Sequence, residues 1–244
     1  MIIDGVDFDE LIKIMNTPIE IKEEVYQDWK EARVGEAVKP RSKPYLRGDD
    51  FQSYWKCARR LWYNCHIPKQ KKSMINKSIH TCVVRHDLIE DILKEAGWSP
   101  EHQCKGEVVI NDKKVFCTGH IDGYSPSHVI LDIKHKWSPT DGDKLQTGFY
   151  QMLVKEEDSR IALLYPTQIQ YYSDMRTMVK KYLPRVYACV ALDYLPPRHP
   201  DFQNCFYNCE YWKECGRTRK PPKRVSNKNE WGDWFSKISS ELNL

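Results

Sequence analysis

The sequence predicts a mixed α/β domain in which a central mixed sheet is flanked by helices. Three observations carry the prediction. Two helical runs of apolar residues come first, three strand-like segments with a tight turn between the first two follow, and a further helix and strand close the pattern. An antiparallel pair, then a strand, a helix and a strand, builds a mixed sheet with helices on its faces. The chain has 244 residues, enough to bury a substantial core without disulfide staples.

Residues 7–32 read as two short helices, the first with Phe8, Leu11, Ile12 and Met15 on one face, the second with Ile21, Val25 and Trp29. Pro18 can open the second at its first turn. Residues 34–48 contain Pro40, Pro44 and Gly48 and read as a connector. Asp49 or Asp50 then caps a single helix whose apolar positions are Phe51, Tyr54, Trp55, Ala58, Leu61 and Trp62. A second helix spans about 77–96 and stops at Gly97, a natural C′ residue. Strands follow over 106–110, 115–122 and 128–134, with Asn111-Asp112 as the hairpin turn between the first two. Residues 141–157 are helical, 160–166 read as a buried strand, 167–200 fit neither period, and the Pro-and-Lys segment 220–223 reads as irregular.

Hydrophobic residues make up 41% of the chain and charged residues 30%, and no stretch is long and apolar enough to span a membrane. The N-terminal residues lack a basic start and an apolar run, so no secretory signal is read and an intracellular location is expected. Nine cysteines then stand out. The number is odd and the expected compartment reducing, which favours metal ligation over disulfides. Net charge is only +4, but it is unevenly spread. Residues 1–37 carry ten acids against four bases, 51–86 carry eight Lys or Arg without an acid, and 216–229 carry six more. Two such basic blocks suit a polyanionic ligand.

Chemistry concentrates between residues 86 and 150. Gly119-His120-Ile121-Asp122 ends one strand, and Ile130-Leu131-Asp132-Ile133-Lys134 forms the next. Alternation puts Asp132 and Lys134 on one face and Ile133 in the core. If the strands are neighbours, Asp122 and Asp132 meet at one end of the sheet, where paired carboxylates hold Mg²⁺ or Mn²⁺. A lysine beside them offsets charge on a phosphate under attack or handles a water. An acid-x-Lys match alone says little. Four occur, and roughly three or four are expected by chance. Only Asp132/Lys134 lies on an apolar strand with an aspartate ten residues earlier. Gln146 and Tyr150 share a helical face in the next element. His86, with His80 as the alternative, supplies an imidazole upstream.

In the order His86, Asp122, Asp132-Ile-Lys134, Gln146…Tyr150, the chain resembles the PD-(D/E)XK nucleases of the RecB type. The resemblance implies a restriction-endonuclease-like core in which His86, Asp122 and Asp132 bind metal. It also makes Lys134 catalytic, with Gln146 and Tyr150 organising the site or contacting DNA. Cys57, followed by Ala-Arg-Arg-Leu-Trp-Tyr, and the late Cys205, Cys209 and Cys215 resemble the cysteines that clasp the ends of the iron–sulfur members. The CRISPR-adaptation (Cas-four) exonucleases are the most similar of these. The late spacing here is C-x3-C-x5-C, one residue longer than the family's usual C-x2-C-x5-C. The four thiolates imply a [4Fe–4S] cluster, with structural zinc as the alternative and Cys65 as an alternative to Cys57.

The resemblance spans about residues 50–216. It implies an acidic helical extension over 1–48, a nuclease core over 49–216 and a basic tail over 217–244. The expected activity is Mg/Mn-dependent exonucleolytic hydrolysis of single-stranded DNA ends, in CRISPR spacer acquisition or in recombination and replication. Lys56, Arg59 and Arg60 would line the DNA path, with Trp55 and Trp62 as stacking surfaces. Expected partners are DNA, CRISPR-adaptation or recombination proteins and a further copy of the chain, but no membrane. The rival readings are a catalytically silent nucleic-acid-binding module and a zinc-bearing interaction protein.

Overall fold

A computed structural model describes residues 1–33, 37–38, 40–67, 69–70, 76–197, 211, 214–215 and 228–242. The architecture is mixed α/β, and the main sheet is built around a long hairpin. Strands β6 (Ser99–Ile110) and β7 (Lys113–Tyr124) pair antiparallel along their full length. Asn111 and Asp112 turn between them with φ of 48° and 60°, the left-handed pair that a two-residue hairpin demands. The other edge of β7 is shared. Near its middle β4 (Leu46–Arg47) pairs parallel with Cys117 and Thr118. At its end β8 (Val129–Ile133) pairs antiparallel through Gly123 and Tyr124. Strand β9 (Arg160–Tyr165) continues parallel to β8, and β10 (Gln168–Tyr172) closes the sheet antiparallel to β9. All five residues of β8 are buried, as befits a central strand covered on both faces.

Helices cover both faces. On one, α1 (Phe8–Asn16) and α5 (Lys77–Glu95) bury Phe8, Leu11, Met15, Ile89 and Leu93 against Val129, Leu131, Ile133 and Leu164. On the other lie α3 (Gly48–Lys56), α4 (Ala58–His66), α6 (Asp141–Leu153), α7 (Arg176–Ala191) and α8 (Lys228–Leu242). Their Phe51, Leu61, Phe149, Val179 and Trp234 meet Ile121, Ile130 and Leu163. Short pairs β1–β2 (Ile2–Ile3 with Val6–Asp7) and β3–β5 (Ala37–Val38 with Lys69–Gln70) and the helix α2 (Glu23–Glu31) complete the described elements.

Several sequence expectations need correcting. Pro18 does not open the second helix: α2 starts at Glu23, where Glu23 and Glu24 face the positive end of the helix dipole. That helix buries Tyr26, not Val25, because Tyr26 and Trp29 lie against the ring of His80. The single helix expected from residue 49 is two helices, interrupted at Cys57, whose φ of −171° is extended. Its apolar pattern runs across the break because α3 and α4 pack into the same core. Strand β6 begins seven residues before the expected start at 106; its outer half alternates polar residues and carries no apolar period. The ambiguous 167–200 region contains β10 and α7, and residues 228–242 of the tail are helical. The segment 220–223 lies outside the described residues.

Candidate active site

The site forms where β7 and β8 part. Gly123 pairs with Leu131 and Tyr124 with Ile130, but the ladder stops there. One step on, Asp122 takes over from the backbone: its Oδ2 accepts the Ile133 N–H at 2.6 Å. The same register sets Asp122 opposite Asp132, the pair expected from the two strands. Asp132 is 3% exposed, and its carboxylate is close enough to Asp122 to raise its own proton affinity.

Lys134 lies just past β8, anchored by its N–H on Leu164 O at 2.8 Å. Its Nζ stands 2.8 Å from Asp132 Oδ2 and donates to Gln146 Oε1 at 2.8 Å. Gln146 in turn donates to Tyr150 Oη at 2.9 Å and to Asp49 Oδ1 at 2.9 Å. Asp143 in the first turn of α6 accepts from Thr140 N and Thr140 Oγ1, both at 2.9 Å. Lys136 adds an ion pair at 2.7 Å. This cap fixes the start of α6, and with it the turn that carries Gln146 and Tyr150.

The glycine of Gly119-x-x-Asp122 has a steric reason. A Cβ on Gly119 would overlap Tyr150 Cε1, and so would a Cβ on Gly48 at the start of α3. The buried Tyr150 ring is therefore gripped between two glycines from different elements. Above it opens a cleft of about 400 Å³ lined by Arg47, Asp49, His120, Asp122, Gln146 and Tyr150, among others.

His86, from α5, brings Nε2 to 3.5 Å from Asp122 Oδ1 and Nδ1 to 2.8 Å from Glu90 Oε1. The hydrogen bond to Asp122 raises the imidazole to about 9, against the opposing effect of burial. Burial pushes Asp122 up, but the His86 bond and charge and the Ile133 N–H bring it net below the usual carboxylate range. Burial also drives Asp132 up, against the pull of Lys134. It works against the Lys134 charge too, but Asp132 outweighs it and the ammonium is held above the usual lysine range. The pairing with Asp132 thus favours the charged form of Lys134.

The expected His86, Asp122, Asp132, Lys134, Gln146 and Tyr150 thus come together. The alternative His80 does not join them: it is buried and stacked on Trp29 at 4.6 Å. Four groups escaped the sequence reading. Asp49 holds Gln146, Glu90 holds His86, and Glu101 falls level with Asp122 between the Pro100–Gly123 and His102–Ile121 pairs of the hairpin, at a step where the ladder is interrupted. The fourth, His135, has a buried Nε2 without a hydrogen-bond partner, and burial pushes its imidazole down to about 4. The hairpin turn was the signal for Glu101: a two-residue turn at Asn111-Asp112 sets the register that aligns it with Asp122.

A divalent cation fits this donor set. Asp132 is buried, and its Oδ2 pairs with Lys134 Nζ at 2.8 Å. Imidazole and carboxylate atoms of His86, Glu101 and Asp122 lie within 4.8 Å of one another. Carboxylate oxygens are the usual donors to Mg²⁺ and Mn²⁺.

At the other end of α3, Cys57 sits where the N–H groups of Arg59 and Arg60 favour its thiolate, although burial raises its thiol. Cys215 is near enough to interact with it, held there by Tyr211 stacked on Tyr63 at 4.9 Å. Cys205 and Cys209 lie outside the described residues. Cys65 instead lines the main core near Arg41 and Asp50. Cys104, Cys117 and Cys189 are buried and Cys82 is half-buried. Among the expected DNA-path residues, Lys56 is near Arg60, Lys136 and Lys134, whose charges and its own burial lower its affinity for a proton. Arg59 instead donates to Pro196 O at 2.6 Å. Trp62 is no free stacking surface: it bonds Leu192 O and stacks on His66 at 4.6 Å.

A scan against protein-family models finds no match, and neither does a search of curated proteins. The fold is similar to that of a solved protein, SSO0001, known from a crystal structure, with a TM-score of 0.51. The two share 19% sequence identity over 91% of this chain and 98% of that one. The likeness is one of fold. No helix among the described residues is long and apolar enough to cross a membrane.

Proposed function

We propose that this chain is a Mg²⁺- or Mn²⁺-dependent deoxyribonuclease of the PD-(D/E)XK, RecB type, acting as an exonuclease on single-stranded ends. One observation carries the reading: where β7 and β8 part, the half-buried Asp122 and the buried Asp132 meet beside a lysine that Asp132 and Gln146 hold in place. Asp122, Asp132 and His86 would hold the cation. Bound there, it would lower the pKa of a water and neutralise a phosphate oxygen. Lys134 presents a fixed positive charge to a phosphate as its charge grows in the transition state. Gln146 and Tyr150 hold that ammonium in line, and Asp49 keeps the Gln146 amide oriented.

The thiols of Cys57 and Cys215, with Cys205 and Cys209, are proposed to hold a structural [4Fe–4S] cluster that joins α4 to the C-terminal segment. The support is the packing of Cys215 against Tyr63 of α4, the helix that follows Cys57. Trimming DNA ends for spacer acquisition, recombination or replication is the task this reading suggests.

The test is cleavage of end-labelled single-stranded and duplex DNA with Mg²⁺ or Mn²⁺, by wild type, Lys134→Ala and Asp132→Asn. Metal-dependent loss of the single strand by wild type, abolished in both variants while each still unfolds cooperatively, is the expected result. Equal cutting by all three would overturn the site. Iron and sulfide in about equal amounts in anaerobically purified protein are expected from the cluster; one zinc per chain would replace it.

A further inference from the structure

We propose that Glu101 of β6 is a metal ligand, making with His86 and Asp122 a cation position that no strand motif of the sequence contains. The inference rests on the nuclease reading, which assigns the cation to His86, Asp122 and Asp132 alone. One ligand atom from each of His86, Glu101 and Asp122 falls within 4.8 Å of the others. The three stand on α5, β6 and β7, elements packed into one body, so their convergence needs no loop to move.

Two further observations point to a cation. Glu90 occupies His86 Nδ1 at 2.8 Å, so the nitrogen turned toward Asp122 is Nε2. A carboxylate behind a ligating imidazole fixes its orientation and makes it a better donor. Independently, Asp132, 3% exposed, sets a second carboxylate against Asp122, with Lys134 Nζ 2.8 Å from its Oδ2. Lys134 and His86 offset part of the repulsion between these carboxylates, and a divalent cation would offset more of it.

Glu101 has little else to do. Its contact with His120 is a loose 3.6 Å ion pair between half-exposed side chains, a kind that contributes little. Its backbone sits at φ 46°, a conformation Gly or Asn adopts more readily than Glu. A mixed imidazole and carboxylate set suits Mn²⁺ better than Mg²⁺, which prefers oxygen and near-ideal octahedra.

The experiment is calorimetric titration of Mn²⁺ into the EDTA-treated whole chain, for wild type, Glu101→Gln and Glu101→Gly, with thermal unfolding of each metal-free protein. Both variants are expected to bind Mn²⁺ about tenfold or more weaker, since loss of even an outer partner of a metal site has that effect. The metal-free Tm of Glu101→Gly should equal or exceed that of wild type, because Gly suits φ 46°. Wild-type affinity in both variants, or weakening confined to variants that also unfold earlier, would overturn the role of Glu101 and leave the nuclease reading standing. A wild type that takes up no Mn²⁺ would overturn both.

Discussion

Tyr150 links packing to the proposed chemistry, and the two glycines around it make the link measurable. Gly119 lies within β7 and Gly48 in the first turn of α3. At either place alanine normally costs less conformational entropy than glycine and gains about 0.5–1 kcal/mol. Here the added methyl would overlap the Tyr150 ring, and at Gly119 it would also come 3.1 Å from Cys104 Sγ. Tyr150 is 4% exposed and has nowhere to move, so Gly119→Ala should destabilise by the ~1–3 kcal/mol typical of an overfilled core. Displacing the ring also breaks the Gln146–Tyr150 hydrogen bond at 2.9 Å, so cleavage should fall with stability. Tyr150→Ala alone should cost ~3–5 kcal/mol, as for other large aromatic truncations. In the Tyr150→Ala background the overlap with the ring is gone: Gly48→Ala should become neutral or stabilising, and Gly119→Ala should retain only the smaller cost of its Cys104 contact. Urea unfolding of the two double-mutant cycles, read at constant m, gives the coupling, expected at ~1 kcal/mol or more. Glycine substitutions that cost the same with and without the ring would refute the grip on Tyr150.

Three other outcomes follow from buried charge. Arg41 and Asp50 form a two-pronged pair at 2.6 and 2.8 Å, with Asp50 also accepting the Arg47 N–H at 2.8 Å. Arg41→Leu should cost ~3–5 kcal/mol by stranding the carboxylate, and Asp50→Asn added to it should restore much of the loss in urea unfolding. In metal-free protein, His86 is raised from 6.5 to about 9 by Asp122. The stability this contributes is fully present below pH 6.5 and fades as pH rises through 9, at most roughly 2–4 kcal/mol. His86→Asn should flatten that decline in a pH series of Tm, and an unchanged slope would refute the pair. Asp143 is held below the usual carboxylate range because the Lys136 hydrogen bond and the Lys134 charge outweigh its burial. Its contribution is present above the usual carboxylate pKa and lost as pH falls through its lowered value, so Asp143→Asn should unfold at neutral pH under milder urea and show a shallower acid transition.

The hairpin, the buried β8 and the helix that carries Gln146 and Tyr150 were legible in the sequence because each has an uninterrupted period or a turn with one stereochemistry. The meeting of Asp122 and Asp132 followed from alternation on neighbouring strands. What escaped was set by tertiary context. The outer half of β6 is polar on one side and partly solvated on the other, so no apolar alternation marks it, and Glu101 on that half went unread. The break at Cys57 leaves the apolar spacing intact, and only the chain's extended backbone there separates α3 from α4. Pro184 inside α7 argues against a helix by local rules, while Val179, Leu183 and Val186 bury it in the core. Tyr26 displaced Val25 from the inner face of α2 because a stacking partner, His80, lay on another element.

The parting of β7 from β8 leaves the Ile133 amide proton in the keeping of a side chain instead of the opposing backbone. Its exchange with solvent deuterium therefore reports on Asp122 alone, in a strand whose other amides are held by neighbours that never change charge. Anything that draws Asp122 Oδ2 elsewhere, whether a proton, a cation or a phosphate that displaces one, releases that single proton first. Isotope exchange at one amide thus becomes a gauge of the state of the proposed reaction centre, readable before any bond in a substrate has been cut.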